Sequence, residues 1–323
     1  MNLIESLTEK VKKQMPTIVF PEAEDRRILE AAVKLNSEGT LKPLLIGDLS
    51  RVKAAAKEYG LDISELEVIN PNGYEEFDML VEKFVERRKG KVDEESARKI
   101  LLDENYFGTM LVYTGKAHGM VSGAVHTTGE TVRPALQIIK TREGFSRTSG
   151  VFVMLKRDEM YIMADCAINI DPDSDALAEI AVLSEETART FGMDPKVAML
   201  SFSTKGSASH ELVDKVRIAT EKAKAANPNM KIDGELQFDA AFVSEVAKKK
   251  APDSEVAGSA NVFIFPSLEA GNIGYKLVQY FGDFKAVGPI LQGLNKPVND
   301  LSRGSSAEEV HDLAIITAAQ AIS

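Results

Sequence analysis

The sequence predicts an α/β protein with largely parallel sheets, because short apolar segments alternate with segments of helical periodicity. Residues 18–21 form a short apolar segment closed by proline, and residues 24–35 then carry apolar side chains at helical spacing. This strand-then-helix unit recurs along the chain, as expected where helices connect parallel strands. No repeat of fixed length occurs, which argues against a solenoid.

The alternation falls into two series that meet near residue 146. The first contains strands over residues 43–47 and 67–69, helices over 49–59 and up to about residue 90, an apolar segment over 120–125 and a helix over 131–139. The second contains strands over 151–155, 161–164, 197–201, 261–265 and 287–291, with helices over 174–191, 208–227 and 270–280. Each series is long enough to form a sheet layer of its own.

A chain of 323 residues exceeds the usual size of one compact domain, so two domains are expected. We assign residues 1–146 and a returning C-terminal segment, residues 303–323, to a discontinuous first α/β domain. Residues 147–302 form the second. The last helix, predicted over residues 306–322, has an apolar side and is expected to pack on the first domain.

Composition excludes several classes of function. The chain has 39 basic and 49 acidic residues, a net charge of −10, and no dense basic stripe, so nucleic acid is not expected as a partner. No apolar run approaches the ~20 residues needed to cross a bilayer, and residues 1–13 form a charged amphipathic stretch rather than a signal peptide. The single cysteine, Cys166, excludes internal disulfides and indicates a reducing compartment. A cytoplasmic protein that does not bind membranes is therefore expected.

Motifs of the common cofactor and nucleophile sites are missing. The sequence contains no G-x-G pair and no phosphate-binding loop of the G-x-x-x-x-G-K type. His210 begins an H-E-x-x-H pattern, but Asp214 replaces the second histidine that a zinc site needs. No G-x-S-x-G nucleophile elbow occurs either. We therefore expect no metal site and no acyl-serine intermediate.

One candidate anion site lies in residues 122–133, which read SGAVHTTGETVR. Small residues, a histidine, threonines and an arginine follow an apolar segment and precede a helix, where free backbone N–H groups and hydroxyls can bind an anion. An ordinary capped helix is an equal alternative, with Thr127 or Thr128 as the cap and Arg133 as a surface charge. Of the isolated histidines, only His126 lies inside this polar turn.

A second candidate is the segment NDLSRG, residues 299–304. A serine and an arginine before glycine in a polar turn can together stabilise negative charge on an oxygen, since arginine carries a planar and permanent charge. Without other context such a pair is more often a surface turn. The spacing of Ser306 and Glu309 also matches a capping box, which would occupy the Glu309 carboxylate in the helix start.

Segments spread over most of the chain resemble the phosphate acetyl/butyryl transferase family. They read YFGTM (106–110), SGAVHTTGETVRPALQIIKT (122–141), DCAINIDP (165–172), DGELQFDA (233–240), NVFIFPSLEAGNIGY (261–275) and GPILQGLNKPVNDLSRG (288–304). The resemblance implies two α/β/α domains of the isocitrate dehydrogenase-like type, an active cleft between them and commonly a homodimer. It implies reversible acyl transfer between coenzyme A and inorganic phosphate, acetyl in preference to butyryl, with acetyl phosphate as the other partner and no cofactor.

The resemblance also assigns roles to individual residues. The family's catalytic serine and arginine correspond to Ser302 and Arg303, and its substrate-binding arginine in the T-x-R-P segment corresponds to Arg133. A further substrate-binding arginine corresponds to Arg88, although Arg87 is adjacent. We expect the polar turn to contribute further substrate contacts from Ser122, His126, Thr127 and Thr128.

The family's catalytic base is commonly an aspartate seven residues after the serine, and here that position holds Glu309, one methylene longer. Ser305 and His118 are two further departures, at positions where many relatives carry cysteine and aspartate. Neither removes a group that the chemistry requires. The assignment of Glu309 as base or as helix cap stays open at this stage.

These assignments give a mechanism by direct attack. A thiol with a pKa near about 8.5 is mostly protonated at neutral pH, so Glu309 would take the proton as coenzyme A attacks acetyl phosphate. Ser302 and Arg303 would stabilise the negative charge on the carbonyl oxygen, and Arg88 and Arg133 would bind the phosphate. No acyl-enzyme forms, and Cys166 is not the nucleophile.

Two rival functions use the same fold. A noncatalytic acyl-CoA sensing domain would not need Ser302, Arg303 and Arg133, which are all present. A decarboxylating dehydrogenase would need an aspartate cluster for a divalent metal and a nicotinamide site, and neither can be located in the sequence. Residue spacing does not identify the pocket that distinguishes acetyl from butyryl.

Overall fold

The computed structural model describes residues 3–322, and these divide into two compact units. The first unit extends to Glu143 and resumes at Leu294, and the second spans Gly144–Gly293. The first two residues of the amphipathic stretch expected over residues 1–13, and the last residue of the expected segment 303–323, lie outside the described residues.

The elements up to Glu143 alternate as the sequence predicts. They are α1 (Leu3–Lys12), β1 (Thr17–Phe20), α2 (Arg26–Ser37), β2 (Lys42–Ile46), α3 (Leu49–Tyr59), β3 (Glu67–Ile69), α4 (Phe77–Arg88), α5 (Glu94–Ile100), α6 (Glu104–Thr114), β4 (Gly119–Ser122) and α7 (Thr128–Ile138). The sequence analysis missed α5 and α6. Nearly all of α6 is buried, so it lacks the polar face that produces a readable period.

The second unit contains β5 (Ser149–Lys156), β6 (Glu159–Ala164), α8 (Ser174–Thr190), β7 (Val197–Leu200), α9 (Glu211–Ala226), β8 (Ile232–Leu236), α10 (Phe238–Phe242), α11 (Ser244–Lys250), β9 (Val262–Ile264), α12 (Leu268–Gly282) and β10 (Lys285–Gln292). The chain then returns through β11 (Val298–Asp300) and α13 (Ala307–Ala321). Within residues 3–322, no helix is both long and apolar enough to cross a bilayer.

Both sheets are largely parallel, as predicted. The first has the order β11-β4-β1-β2-β3, and all of its pairs are parallel. The second has the order β10-β5-β6-β9-β7-β8, in which β5 pairs antiparallel with β6 and with β10. Only residues 157 and 158 separate β5 from β6, and so short a connection permits a hairpin but no parallel crossover.

The expected boundary between the domains differs from the observed one. The chain returns to the first unit at Leu294, before β11, rather than at residue 303. The reason is that β11 pairs with β4, with Asn299 opposite Val121. A three-residue strand that ends in asparagine and aspartate has no apolar run, so the sequence analysis did not identify it.

The last helix, α13, packs against α1 and α2 and against the first sheet. A buried hydrogen bond reinforces this packing, because Asn299 Nδ2 donates to Thr317 Oγ1 at 2.8 Å. The strand β11 is therefore fixed to the helix that follows it. The loop between them, residues 301–306, is held at both ends and carries Ser302 and Arg303.

Candidate active site

Three neighbouring strands of the first sheet end at the same edge. Because β11, β4 and β1 are adjacent and parallel, the segments that follow Asp300, Ser122 and Phe20 lie side by side. Ligand sites in open α/β sheets form at the carboxyl ends of the strands. The two candidate segments identified in the sequence therefore meet here, together with a third that begins at Pro21.

The third segment supplies a buried carboxylate, Glu22, that binds the turn after β4. Glu22 Oε2 accepts hydrogen bonds from the backbone N–H groups of Gly123 and Ala124 at 3.1 and 2.8 Å. Glu22 Oε1 accepts those of Val125 and His126, both at 2.8 Å. Four consecutive N–H groups thus converge on one carboxylate, in the manner of an anion-binding nest.

The His126 ring completes this cluster, with Nδ1 lying 2.8 Å from Glu22 Oε1. Burial acts to raise the pKa of Glu22, but the hydrogen bonds from the His126 side chain and from the backbone outweigh it, and the pKa is lowered. The hydrogen bond to Glu22 raises the pKa of His126 above its ordinary value of 6.5, against the effect of burial. The contact therefore favours the charged forms of both side chains, and only 2% of the Glu22 side chain is exposed.

This geometry corrects the expectation that the turn offers free N–H groups to an anion. The N–H groups of residues 123–126 are already bound to Glu22. Ser122, expected to contact substrate, is fully buried and donates its hydroxyl to Asn105 Oδ1 at 2.7 Å. His126 is bonded to Glu22 through Nδ1, while 27% of its side chain is exposed, so its contact with substrate stays a prediction.

The two threonines at the start of α7 also make internal contacts. Thr127 caps the helix in a capping box, and its Oγ1 lies 2.8 Å from Glu130 Oε2. Thr128 Oγ1 donates to Asp300 Oδ2 at 2.6 Å. The capped-helix alternative to anion binding is therefore what the structure contains at Thr127.

Asp300 is a second buried carboxyl at this edge of the sheet, and 1% of it is exposed. Burial raises its pKa from 3.8 to about 6, and the negative charge of Glu22 acts in the same direction. The hydrogen bond from Thr128 only partly offsets these effects. Asp300 Oδ1 is buried without a hydrogen-bond partner among residues 3–322.

Gly123 allows the turn and the returning loop to approach each other. Its φ is +107°, and a Cβ at this position would overlap the Asp300 carboxylate and the Leu301 backbone. The close approach lets the Leu301 N–H donate to the Ser122 carbonyl at 2.7 Å. A side chain at residue 123 would therefore separate the two candidate segments.

Ser302 and Arg303 are exposed at the tip of this loop. Ser302 Oγ accepts a long hydrogen bond of 3.3 Å from the Gly304 N–H. Nothing in the described part of the chain forms a hydrogen bond or an ion pair with the Arg303 guanidinium. Both groups thus remain available to a ligand, and their catalytic roles stay a prediction.

Arg27, at the start of α2, joins the two segments. Its Nη1 donates to the carbonyls of Arg303 and Ser305 at 2.7 and 3.0 Å. Its Nη2 donates to the carbonyl of Ala124 at 2.7 Å and to Asp25 Oδ2 at 2.8 Å. Its Nε donates to Asp25 Oδ1 at 2.9 Å, so every N–H direction of the guanidinium has an acceptor.

The structure separates the neighbouring arginines at the end of α4. Arg87 donates to the carbonyls of Ile138 and Ile139 at 2.6 and 3.0 Å, at the end of α7. Arg88 has no such bond, and its buried Nε lacks a partner among the described residues. This contrast favours Arg88 over Arg87 as a ligand-binding residue.

Arg133 lies on the exposed side of α7. It has a neighbour, Tyr106, in common with Arg88. The positive charges of Arg133 and Arg88 both act to lower the pKa of Tyr106, although burial raises it overall. The Tyr106 hydroxyl donates to Gln137 Oε1 at 3.1 Å, which fixes the ring between them. Two guanidiniums without internal partners in the described chain therefore share one side of the unit.

Glu309 forms the capping box with Ser306 that the sequence analysis gave as the alternative to its role as a base. Its Oε2 accepts the Ser306 N–H at 2.7 Å, and its own N–H donates to Ser306 Oγ at 3.2 Å. The cap uses one carboxylate oxygen. Oε1 is the atom that would take a proton from a substrate.

Sequence reasoning missed Glu22, Arg27 and the particular part played by Asp300. The first two belong to the segment after β1, where a polar residue directly follows Pro21 at the end of a buried strand. That position at the carboxyl edge of a parallel sheet was the available signal. Pairing a carboxylate with N–H groups about a hundred residues away has no sequence pattern.

The chain matches known proteins along its whole length. The family model described as "Phosphate acetyl/butaryl transferase" matches residues 2–318. A relative named "Phosphate acetyltransferase" from Bacillus subtilis (strain 168) is 60% identical over 321 residues, which cover 99% of both chains. Two solved structures are similarly close. A phosphotransacetylase from Streptococcus pyogenes is 59% identical with a TM-score of 0.96, and EutD phosphotransacetylase from Staphylococcus aureus is 58% identical with a TM-score of 0.94. Each comparison covers 99% of this chain and 98% of the other.

Replacing Asp300 with asparagine tests the buried carboxyl. Because its folded pKa of about 6 lies above the unfolded value, the neutral carboxyl stabilises the fold fully below about pH 4, and this contribution is lost as pH rises through 6. From pH 4 to 7, wild type should lose about 2 kcal/mol of unfolding free energy relative to Asp300→Asn. Thermal unfolding of both proteins at several pH values measures this difference. Parallel pH profiles would show that Asp300 titrates normally.

Proposed function

The chain belongs to the phosphate acetyl/butyryl transferase family, and we propose that it transfers an acetyl group reversibly between coenzyme A and inorganic phosphate. The observation that carries the proposal is the exposed Ser302–Arg303 pair, whose guanidinium has no partner in residues 3–322, whereas that of Arg27 beside it is fully bonded inside the protein. The full-length identity to relatives named phosphate acetyltransferase supports acetyl as the acyl group.

The proposed reaction is a direct displacement. The sulfur of coenzyme A attacks the carbonyl carbon of acetyl phosphate, and a C–S bond forms. The bond between this carbon and the bridging oxygen breaks, and the oxygen leaves with the phosphoryl group as inorganic phosphate. Negative charge on the carbonyl oxygen is stabilised by the Arg303 guanidinium and the Ser302 hydroxyl. One such donor contributes roughly 3 to 4 kcal/mol to lowering the barrier.

Arg88 and Arg133 are the proposed phosphate-binding residues. Their guanidiniums have the planar fork that suits phosphate oxygens, and neither is neutralised by an internal carboxylate in the described chain. Holding a phosphate-bearing substrate in place turns the encounter of two substrates into a reaction of prepositioned groups. This removes the need for a covalent enzyme intermediate.

Cys166 supports this direct route. The thiol is fully buried, and burial together with the charge of Asp165 raises its pKa well above the ordinary value. Its Sγ lies 3.4 Å from the Met163 carbonyl. A buried, protonated thiol is a poor nucleophile.

Glu309 is the proposed base for the thiol proton, through Oε1. The capping box holds the side chain in one conformation while Oε2 binds the Ser306 N–H. The family position is commonly aspartate, so the added methylene changes the reach of the carboxylate. Helix capping and proton transfer are thus competing explanations of the role of Glu309, and a single substitution separates them.

We also propose that the enzyme works without a resident metal or prosthetic group, because arginines supply the positive charge that the reaction needs.

A homodimer in the cytoplasm is proposed from the family resemblance and the lone cysteine. The outward side of α12 is the candidate dimer surface, since Tyr280 and Phe281 are 79% and 88% exposed. Adjacent exposed aromatic side chains are typical of protein interfaces.

The central prediction concerns Arg303. Purified wild type should consume coenzyme A thiol in the presence of acetyl phosphate, and Arg303→Ala should lower kcat about a hundredfold or more. The control is Arg51→Ala, which removes an exposed arginine paired with Glu24. An effect on KM alone would contradict the role of Arg303. Wild type that binds acetyl-CoA but never forms product would instead be a sensing domain.

Replacing each of the adjacent arginines separates their roles. Arg88→Ala should raise KM for a phosphate-bearing substrate about tenfold or more, because an unpaired guanidinium is lost. Arg87→Ala should instead lower the melting temperature with little change in KM, because its bonds cap the end of α7. Steady-state kinetics with each substrate and thermal unfolding test both. The reverse pattern would move the substrate contact to Arg87.

Glu309→Gln isolates the proton acceptor, because the amide oxygen can still accept the Ser306 N–H. If Glu309 is the base, kcat should fall at least about tenfold across pH 6 to 9 while the melting temperature stays near that of wild type. An unchanged kcat over that range would assign the residue to helix capping alone.

A further inference from the structure

Arg27 is the one guanidinium of the site whose donors are all used inside the protein. Of its five donor bonds, two go to carbonyls of the loop that carries Arg303, and one goes to the carbonyl of Ala124 in the turn bound by Glu22. The remaining two form a bidentate pair with Asp25. Asp25 is itself the N-cap of α2, so the pair is anchored on a helix.

Two of the acceptors of Arg27 are carbonyls of the backbone that carries the Arg303 side chain. One is the carbonyl of Arg303 itself, and the other is the carbonyl of Ser305, two residues later. Fixing both carbonyls restricts the backbone on the C-terminal side of the Arg303 Cα. The carbonyl of Ala124 fixes the same guanidinium to the neighbouring turn, so loop and turn keep one relative position.

This arrangement differs from a bond that mainly stabilises the fold. Only the Arg303 carbonyl lies in the exposed residues 302–304, where water can solvate it at a modest net cost if Arg27 is removed, whereas Ser305 and Ala124 are buried and their carbonyls would be harder to solvate. Placement of a catalytic group is more sensitive, because a displacement of about 1 Å can cost a hundredfold in rate. Loss of Arg27 should therefore lower the melting temperature, and it should lower turnover by more than that loss of stability explains.

We propose that Arg27 is a positioning residue for the acyl-transfer step, which holds the Ser302–Arg303 loop against the Glu22-bound turn. The proposal rests on the proposed function, since it assumes that Arg303 acts on the reacting carbonyl. Lysine cannot replace it, because a single ammonium cannot donate in one plane to three carbonyls and a carboxylate.

The test compares Arg27→Ala and Arg27→Lys with Arg26→Ala. Arg26 is the preceding residue of the same helix, and its exposed side chain pairs with Glu30 at 2.7 Å and lies over the Tyr59 ring, 5.9 Å from the ring centroid. Arg27→Ala should lower kcat about a hundredfold, while KM for coenzyme A and acetyl phosphate stays within about threefold. Arg26→Ala should match wild type. Added guanidinium at millimolar concentration should partly restore kcat in Arg27→Ala and leave Arg26→Ala unchanged.

Three results would overturn the proposal: kcat of Arg27→Ala within about threefold of Arg26→Ala, a rise in KM alone, or a fall in kcat that only tracks a fall in melting temperature. If Arg27→Ala does not fold, Arg27→Lys decides, because it keeps the charge beside Asp25. It must lose at least about tenfold in kcat at a melting temperature near that of wild type. Failure of wild type to form acetyl-CoA would refute the proposed function instead, so the two failures are distinct.

Discussion

The binding of one buried carboxylate by four consecutive backbone N–H groups is the constraint on which the site depends. Glu22 takes up the N–H groups of residues 123–126 and forms an ion pair with His126. A buried carboxylate without such partners would cost several kcal/mol, and so would the four N–H groups left without acceptors. Each group therefore makes burial of the other possible, and the turn after β4 has one conformation.

That conformation of the turn also fixes the positions of Arg27 and of the loop after β11. The fixed carbonyl of Ala124 accepts from Arg27, which in turn binds the carbonyls of Arg303 and Ser305. Gly123 allows Asp300 and Leu301 to approach the same turn. The loop after β11 is thus determined by contacts with Ser122, 301 − 122 = 179 residues before Leu301, and with Arg27, 276 residues before Arg303.

The charges divide into two groups with different tasks. The carboxylates of Glu22 and Asp300 are buried and hydrogen-bonded within the protein. The guanidiniums of Arg303 and Arg133 are exposed and have no internal partner in the described chain. Because these buried carboxyls are bonded to backbone groups, to His126 and to a threonine, they leave the exposed guanidiniums without an internal counter-ion, and the proposed function assigns these guanidiniums to anionic substrate. Arg27 differs, because all its donors are used inside the protein. It cannot bind anionic substrate and instead positions the chain.

The sequence by itself determined the alternation of strands and helices, because apolar periodicity reflects burial on a parallel sheet. It pointed to the Ser302–Arg303 pair through the resemblance of the surrounding motif to a family, since such a pair without other context is more often a surface turn. Only the tertiary structure decided that β11 belongs to the first sheet and that Glu22 and Arg27 reach the site. A three-residue polar strand has no periodicity, and contacts between residues 22 and 126 or 27 and 303 depend on which strands become neighbours. It also distinguishes the contacts of Arg87 from those of Arg88, since adjacent residues of one type differ only in what the folded chain places beside them.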